Sequence, residues 1–323
     1  MLAIQATRTG GPEVLEAIDV AVPAPGPGQI RIRHEAVGLN FIDTYHRSGL
    51  YPVKMPAVLG QEGAGVVDAI GEGVTRFHVG DRAAYGTGPM GAYAEAHVVA
   101  ENRAVRLPDG VSTRVAAAAM LKGMTAEFLL RRCYPLRAGE AVLIHAAAGG
   151  VGGILTQWAK AIGAVVIGAV GSPDKAAVAL GQGCDHVIQY RDQDIAARVR
   201  DVTGGQGVRV VYDGVGAATF EASLASLGRR GMLVSFGNAS GPAPAVEPGR
   251  LSRAGSLFLT RPTLFDYVAN DAELDESAAA LFAVMASGAV KIEIGQTFAL
   301  ADARRAHEAL EARETTGSSL LIP

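Results

Sequence analysis

The sequence predicts an α/β protein in which a doubly wound parallel sheet follows a mostly β unit. Three features support this: a glycine-rich turn at 142–152, alternating strands and helices after residue 140, and glycine-broken β patterns before residue 110. The length of 323 residues favours two domains, and a hydrophobic content of 49% is typical of a compact globular chain.

The glycine turn reads VLIHAAAGGVG from Val142 to Gly152 and fits A-x-G-x-x-G, with alanine in the first glycine position. Such a turn binds a dinucleotide, because small residues allow the tight turn, the close approach of a pyrophosphate and close helix packing. The N–H groups at the start of the following helix then face the phosphates. The residues expected to bind here are Ala147, Gly149, Gly150, Val151 and Gly152.

Strands and helices alternate through the rest of this half. Strands are predicted at 141–146, 164–170, 186–189, 208–213, 231–236 and 256–260, and helices at 150–162, 173–181, 193–203 and 217–228. This order indicates a parallel sheet with helical crossovers. The stretch GSLFLTRP (255–262) is apolar and comes last, so an edge strand near 256–261 is a candidate for pairing with a second copy of the chain.

The first half alternates in a β pattern. Residues 1–20 are predicted to form a hairpin-like unit, and 30–40 a half-buried strand that leads into a loop at NFIDTYHRSGLY. Residues 112–133 are predicted to be helical, with Ser112 as N-cap and a break at Gly123. Beyond Arg261, a helix near 271–287, a strand near 292–299, a helix at 302–313 and a last strand are expected to fold back onto the first half.

Composition excludes several classes of function. The net charge of −3 without a basic run disfavours nucleic-acid binding, and no apolar segment approaches the length of a membrane span. The first residues lack the pattern of a signal peptide. Cys133 and Cys184, the two cysteines, make neither a disulfide framework nor a four-thiolate zinc site. We therefore expect a cytoplasmic protein with reduced thiols.

The end of the second predicted strand indicates which dinucleotide is bound. NAD-specific folds place an acidic residue there for the ribose 2′-OH, but 167–171 contain none. Gly171, Ser172 and Lys175 offer a hydroxyl and an ammonium group, which suit a 2′-phosphate, although Asp174 lies beside them. We expect NADPH (NADP+), with Tyr190 near the adenine or its ribose.

Several stretches together resemble the quinone oxidoreductase branch of the medium-chain dehydrogenase/reductase superfamily, which includes zeta-crystallin. They are NFIDTYHRSGLYP (40–52), LGQEGAGVV (59–67), HAAAGGVG (145–152), VRVVYDGVG (208–216), GMLVSFGNASG (231–241), TRPTLFDY (260–267) and the terminal GSSLLIP. The resemblance implies a GroES-like catalytic domain at 1–122 and 263–323 around a Rossmann domain at 123–262. It also implies an active site in the cleft, NADPH-dependent quinone reduction and a homodimer.

Zinc-dependent members of the superfamily carry cysteine where this chain has Asn40 and histidine where it has Gln61. Neither asparagine nor glutamine is a usual zinc ligand, so no metal is expected. Without a Lewis acid, alcohol dehydrogenation is disfavoured, and an acceptor that takes a hydride readily, such as a quinone, is favoured.

The resemblance also suggests where the reacting groups lie. We expect the nicotinamide near Asn40, Thr125 and the FGNAS loop at 236–240, which contains Phe236, Gly237 and Asn238. Asn40, Tyr45 and Gln61 are candidates to hydrogen-bond a quinone oxygen, and Tyr45 or Tyr51 to stack on the ring or donate a proton. Arg313 resembles a position that contacts the cofactor in this family, and a surface salt bridge is the alternative role for it.

Two other functions stay open. One is NADPH-dependent reduction of activated C=C bonds in enals or enones, with the same hydride donor and a proton donor such as Tyr45. The other is a low-turnover, crystallin-like NADPH-binding or RNA-binding protein, which the mild acidity of the chain disfavours.

Overall fold

The structure is a computed structural model that describes all residues, Met1–Pro323. The strands are β1 (Leu2–Ala6), β2 (Leu15–Asp19), β3 (Gln29–Leu39), β4 (Ala57–Val58), β5 (Glu62–Ile70), β6 (Arg82–Tyr85), β7 (Ala96–Ala100), β8 (Val105–Arg106), β9 (Ala141–His145), β10 (Val165–Val170), β11 (His186–Gln189), β12 (Val208–Asp213), β13 (Leu227–Ser235), β14 (Phe258–Thr260), β15 (Ile294–Ala299) and β16 (Ser318–Ile322). The helices are α1 (Phe41–Ser48), α2 (Thr113–Phe128), α3 (Gly150–Ile162), α4 (Pro173–Gly181), α5 (Ile195–Val202), α6 (Phe220–Ser226), α7 (Pro248–Arg253), α8 (Leu264–Tyr267), α9 (Asp271–Ala286) and α10 (Ala303–Glu311).

The chain divides into two compact units. The first contains residues 1–124, 268–286 and 292–323, and the second contains residues 125–267 and 287–291. The division falls within α2, whose last residues belong to the second unit.

The second unit is built on a six-stranded sheet in the order β11-β10-β9-β12-β13-β14, with every neighbouring pair parallel. In sequence terms this is the 3-2-1-4-5-6 order of a doubly wound nucleotide-binding sheet, so the predicted fold class is confirmed. Its central strands are apolar along their length, as in Val142–Ile144, because a parallel sheet is covered on both faces. The order changes direction between β9 and β12, and ligands bind such sheets at the carboxyl ends beside that point.

The first unit has a seven-stranded sheet in the order β15-β16-β3-β5-β6-β8, with β7 paired to β3, and a small sheet β2-β1-β4. β3 alternates as predicted, with Ile30, Ile32 and His34 buried and Arg33 and Glu35 exposed. The last strand, β16, pairs antiparallel with β3, which confirms that the end of the chain folds back onto its beginning.

Two local predictions are wrong. The stretch after β3 was expected to be a loop but forms α1, which begins with the Asn40 N–H donating to Asp43 and ends at Gly49 in the left-handed conformation (φ 84°). The helix 112–133 was expected to break at Gly123, yet α2 runs through it. A Cβ on Gly123 would lie 2.4 Å from a Leu281 methyl, so this glycine allows close helix packing. Ser112 accepts a hydrogen bond from the Val115 N–H as predicted.

Candidate functional site

The glycine turn lies between β9 and α3 in the second unit, at the carboxyl edge of the sheet. Ala146 has a left-handed backbone (φ 51°), and α3 begins after Gly149 with no side chain capping its first N–H groups. A Cβ on Gly152 would lie 2.1 Å from the Ala146 carbonyl oxygen, so the turn closes only with glycine there. A Cβ on Gly149 would meet only that oxygen, at 3.2 Å, which leaves the backbone open to a ligand. Uncapped N–H groups at a helix start suit a pyrophosphate.

Four residues predicted to hold the adenosine end come together after β10 and β11. A Cβ on Gly171 would lie 2.5 Å from the Tyr190 hydroxyl, so that ring packs directly on the glycine. Ser172 caps α4 and accepts a bond from the backbone N–H of Lys175 at 3.4 Å. Asp174, on the first turn of α4, is exposed. The strand end therefore offers a hydroxyl and an ammonium and has no carboxylate at 167–171.

The loop 236–240 is tied to the loop after β12. The Phe236 N–H donates to the Asp213 carbonyl at 2.8 Å, and a Cβ on Gly237 would lie 2.3 Å from the Gly214 oxygen. Asn238 is buried at 9% exposure. The predicted residues Phe236, Gly237 and Asn238 thus belong to a loop that the end of β12 supports.

Asp213 organises that support and was not predicted. Its carboxylate accepts from the Val215 N–H (2.8 Å) and from the Ser223 hydroxyl (2.7 Å), and His145 bonds the same hydroxyl at 2.9 Å. His145 is itself buried, and burial lowers its pKa. These hydrogen bonds connect the ends of β9 and β12, which are distant in sequence. No local sequence pattern therefore indicated the role of Asp213.

In the first unit, Asn40 is buried at 6% exposure and its amide is held in one orientation. Its Nδ2 donates to Glu62 Oε2 at 2.8 Å, and Lys122 Nζ donates to the same oxygen at 3.0 Å. The other Glu62 oxygen accepts from the Leu121 N–H at 2.7 Å. The sequence singled out Asn40 but neither Glu62 nor Lys122. The buried ion pair that joins them is a tertiary feature.

Gln61 precedes Glu62 and has a different environment. The residue is 7% exposed, yet its Oε1 is buried without a hydrogen-bond partner. Leaving such a group unsatisfied costs about 1–3 kcal/mol, so it marks a position where a ligand group can complete the bonding. Because Oε1 only accepts, the group that completes its bonding must be a donor, and the predicted contact to a quinone carbonyl oxygen would come from the Gln61 Nε2–H group.

The two candidate tyrosines lie together on α1 and just beyond it. Their ring centroids are 5.3 Å apart in an edge-on arrangement, and the Tyr51 N–H donates to the Tyr45 carbonyl at 3.0 Å. Tyr45 is buried and Tyr51 is half-buried. Asn40 directly precedes α1, Tyr45 lies on it and Tyr51 follows it.

Asp43, on the first turn of α1, is fully buried. Its Oδ2 accepts from the Asn40 N–H and from the Tyr93 hydroxyl, each at 2.9 Å, while Oδ1 has no partner. Burial is the main cause that raises the pKa of Asp43 to about 7, and the two hydrogen bonds oppose that rise. A carboxyl group with this pKa changes charge near neutral pH.

The remaining predicted residues are divided between the units. Thr125 is buried near the end of α2 in the second unit, whereas Arg313 lies after α10 in the first, with a left-handed backbone (φ 61°). No three His, Cys, Asp or Glu side chains are grouped as metal ligands, and both cysteines are free thiols.

Comparison with known proteins gives full-length matches. The family profile described as "Alcohol dehydrogenase GroES-like domain" matches residues 26–109, and that described as "Zinc-binding dehydrogenase" matches 150–283. A quinone oxidoreductase of Pseudomonas aeruginosa is 54% identical over 99% of both chains, and a 2-haloacrylate reductase of a Burkholderia species is 42% identical over 98% of this chain and 97% of its own. The crystal structure of the Escherichia coli quinone oxidoreductase complexed with NADPH superposes with a TM-score of 0.98, at 48% identity and full coverage of both chains.

Proposed function

From the premise that the chain belongs to the quinone oxidoreductase family of the medium-chain dehydrogenase/reductase superfamily, we propose that it catalyses NADPH-dependent reduction of quinones. The observation that carries this proposal is the pairing of an open glycine turn with a strand end that has Ser172 and Lys175 and no carboxylate at 167–171. The turn suits a pyrophosphate, and the strand end suits the 2′-phosphate of NADPH. The E. coli relative, described as complexed with NADPH, supports the same choice.

The residues proposed to hold NADPH follow from this assignment. The turn residues would hold the pyrophosphate, the residues after β10 the 2′-phosphate, Tyr190 the adenine side, and the loop 236–240 the nicotinamide side. The full set is Ala147, Gly149, Gly150, Val151, Gly152, Gly171, Ser172, Lys175, Tyr190, Phe236, Gly237, Asn238, Thr125, Asn40 and Arg313.

When bound, NADPH supplies the hydride, and the protein orients the acceptor and excludes water. The Nε2–H group of Gln61 is proposed to donate to a quinone oxygen. Glu62, the residue after Gln61, accepts from the Asn40 amide and from Lys122 and so keeps that amide in one orientation. Reduction to the hydroquinone also takes one proton, for which Tyr45 or Tyr51 is the proposed donor, through water.

Reduction of an activated C=C bond is the second candidate function. The 42% identity to a 2-haloacrylate reductase favours it specifically, since that substrate is an alkene activated by its carboxylate. The same amide and tyrosine groups would serve an enone or enal. Quinone reduction and C=C reduction differ in the substrate atom that accepts the hydride. Comparing the rates with the two classes of substrate distinguishes the two reactions.

The test is NADPH oxidation by the purified protein with 1,4-benzoquinone, 2-chloroacrylate and a simple enone in parallel. We expect kcat/KM to be highest with the quinone. Absence of quinone-dependent NADPH oxidation refutes the first function, and turnover with 2-chloroacrylate alone establishes the second.

The cofactor assignment has its own test in Lys175→Ala. We expect NADPH affinity to fall about 10- to 100-fold, because a charge-assisted contact to the 2′-phosphate is lost, while NADH affinity stays unchanged. Lys160→Ala is the matched control, since it removes an exposed lysine paired with Asp185 in the same unit. Equal losses for both nucleotides contradict the proposed 2′-phosphate contact.

We further propose a cytoplasmic homodimer that pairs through β14. This strand is the outermost of the parallel sheet, and Phe258 on it is 55% exposed. No helix has both the length and the apolar character needed to cross a bilayer. Light scattering on Phe258→Glu tests the pairing: the proposal expects a dimeric wild type and a monomeric variant, and a monomeric wild type contradicts it.

A further inference from the structure

A chain of four fully buried side chains lies behind Asn40 in the first unit. Arg47 Nη1 is 2.9 Å from His307 Nδ1, His307 Nε2 is 3.0 Å from the Tyr93 hydroxyl, and that hydroxyl is 2.9 Å from Asp43 Oδ2. No more than 2% of any of these residues is exposed. These hydrogen bonds run from Arg47 on the last turn of α1 through His307 on α10 and Tyr93 to Asp43 on the first turn of α1.

The direction of every hydrogen bond in the chain is determined by its first member. Arginine only donates, so His307 Nδ1 accepts, and the neutral imidazole must carry its proton on Nε2. Nε2–H then donates to the Tyr93 oxygen, which leaves the phenolic proton for Asp43. Burial and the neighbouring Arg47 lower the pKa of His307 to about 3, which is consistent with a neutral ring. The chain therefore delivers an oriented donor to Asp43.

Asp43 is also where the chain meets the candidate site. The oxygen that accepts from Tyr93 accepts from the Asn40 backbone N–H as well. Asn40 is thus held at two points, through its backbone by Asp43 and through its amide by Glu62. A change in Asp43 shifts the first of these points.

We propose that Arg47, His307 and Tyr93 are positioning residues that, through Asp43, hold the start of α1 and the Asn40 amide in one orientation for the reaction. The inference rests on the proposed role of Asn40 in quinone reduction. The chain does not deliver protons from solvent, although Arg47 also contacts the partly exposed Glu311, because an arginine does not release its proton in proteins. Its role is geometric.

The charge of Asp43 sets how firmly it accepts. The ionisable groups facing it are Tyr93, Glu62 on β5 and Lys122 on α2, with His307 and Arg47 behind Tyr93. Protonation of Asp43 weakens its bonds to the Asn40 N–H and to Tyr93. The activity is therefore expected to fall on the acid side of a transition near pH 7.

The experiment compares Tyr93→Phe with Tyr85→Phe. Both tyrosines are fully buried in the first unit and bond a buried histidine, but Tyr85 bonds His34 and lies outside the chain. We expect Tyr93→Phe to lower kcat about tenfold at pH 7 with little change in the KM for NADPH. We also expect the acid limb of its profile of kcat against pH to move about one pH unit upward, because a donor to the Asp43 carboxylate is lost. Tyr85→Phe should leave the limb in place.

A second readout separates this inference from the proposed function. The pH dependence of the free energy of unfolding, measured without cofactor or substrate, should show the same upward movement in Tyr93→Phe only. The inference is overturned if Tyr93→Phe shifts neither the pH profile of kcat nor the pH dependence of unfolding. Equal losses of kcat in Tyr93→Phe and Tyr85→Phe also overturn it. If the pH transition of the free energy of unfolding moves in Tyr93→Phe but the wild type does not reduce quinones, the hydrogen-bond chain is supported and the proposed function is rejected.

If Tyr93→Phe does not fold, two variants of His307 give the same comparison. His307→Gln retains an acceptor for Arg47 and a donor for Tyr93, whereas His307→Leu retains neither. The inference is supported if His307→Gln keeps the wild-type kcat and the wild-type acid limb of the pH profile while His307→Leu loses both. Equal impairment of both variants, with both folded, contradicts it.

Discussion

The tightest steric constraint in the proposed cofactor site is at Gly152, and Gly152→Ala tests it. The new Cβ would lie 2.1 Å from the Ala146 carbonyl oxygen and 3.0 Å from the Ala147 Cα. Both neighbours are backbone, so no side chain can rotate away. The start of α3 and the end of β9 must separate instead.

The size of the effect follows from that contact. Because Cβ contacts shorter than 3.0 Å essentially do not occur, the 2.1 Å contact must open by nearly an ångström. Forcing a methyl group into a close-packed site costs about 1–3 kcal/mol of stability. A displacement of about 1 Å at a binding turn reduces a positioned interaction by up to about 100-fold. We therefore expect NADPH affinity to fall by at least about tenfold.

The assay is fluorescence titration with NADPH, together with urea unfolding of the protein without cofactor. Gly153→Ala is the matched control, because its Cβ would meet only the amide end of the Gln182 side chain, at 2.8 Å, which can move. Alanine in place of a helical glycine stabilises by up to about 1 kcal/mol, so the control should be neutral or more stable. Wild-type NADPH affinity in Gly152→Ala, or the same loss in Gly153→Ala, refutes the steric argument.

Two further predictions concern the first unit. For Asp43, the pKa of about 7 in the folded state exceeds the ordinary 3.8, so the folded state retains a proton that the unfolded state releases. The free energy of unfolding therefore decreases with rising pH across that window, by about 1.4 kcal/mol per unit at most. Asp43→Asn should abolish this decrease in urea titrations, and an unchanged pH slope contradicts the raised pKa. For Gln61→Leu, we expect an unchanged or higher stability, because a buried amide oxygen without a partner is removed. We also expect a KM for quinone raised about tenfold, because the Nε2–H donor to the quinone oxygen is lost. Steady-state kinetics and unfolding together check this, and an unchanged KM rejects the substrate contact.

Local patterns predicted the second unit well because each of its elements carries its own signal. The helix 150–162 and the strand 186–189 were predicted with the bounds that the structure has. Apolar runs between turn residues mark buried parallel strands, and small residues mark the turn that joins β9 to α3.

The first unit was harder to predict where tertiary contacts override local propensity. Gly123 reads as a helix breaker, but its missing side chain accommodates Leu281, which is more than 150 positions away. The sequence predicted a loop at α1 because nearly all of its eight residues are polar or aromatic. The cap at Asn40 and the left-handed Gly49 were the local signals that identify it.

By itself, the sequence determined the doubly wound sheet, the glycine turn of Ala147–Gly152 and the phosphate-compatible residues after β10. These depend on residue type at short spacing, since a turn, a strand and a helix start are local structures. Only the tertiary structure decided which groups hold Asn40: the Glu62–Lys122 pair on its amide and the Arg47–His307–Tyr93–Asp43 chain on its backbone. The bonded members Arg47 and His307 are 260 positions apart. Buried polar groups find partners through the packing of whole elements, which no local spacing records.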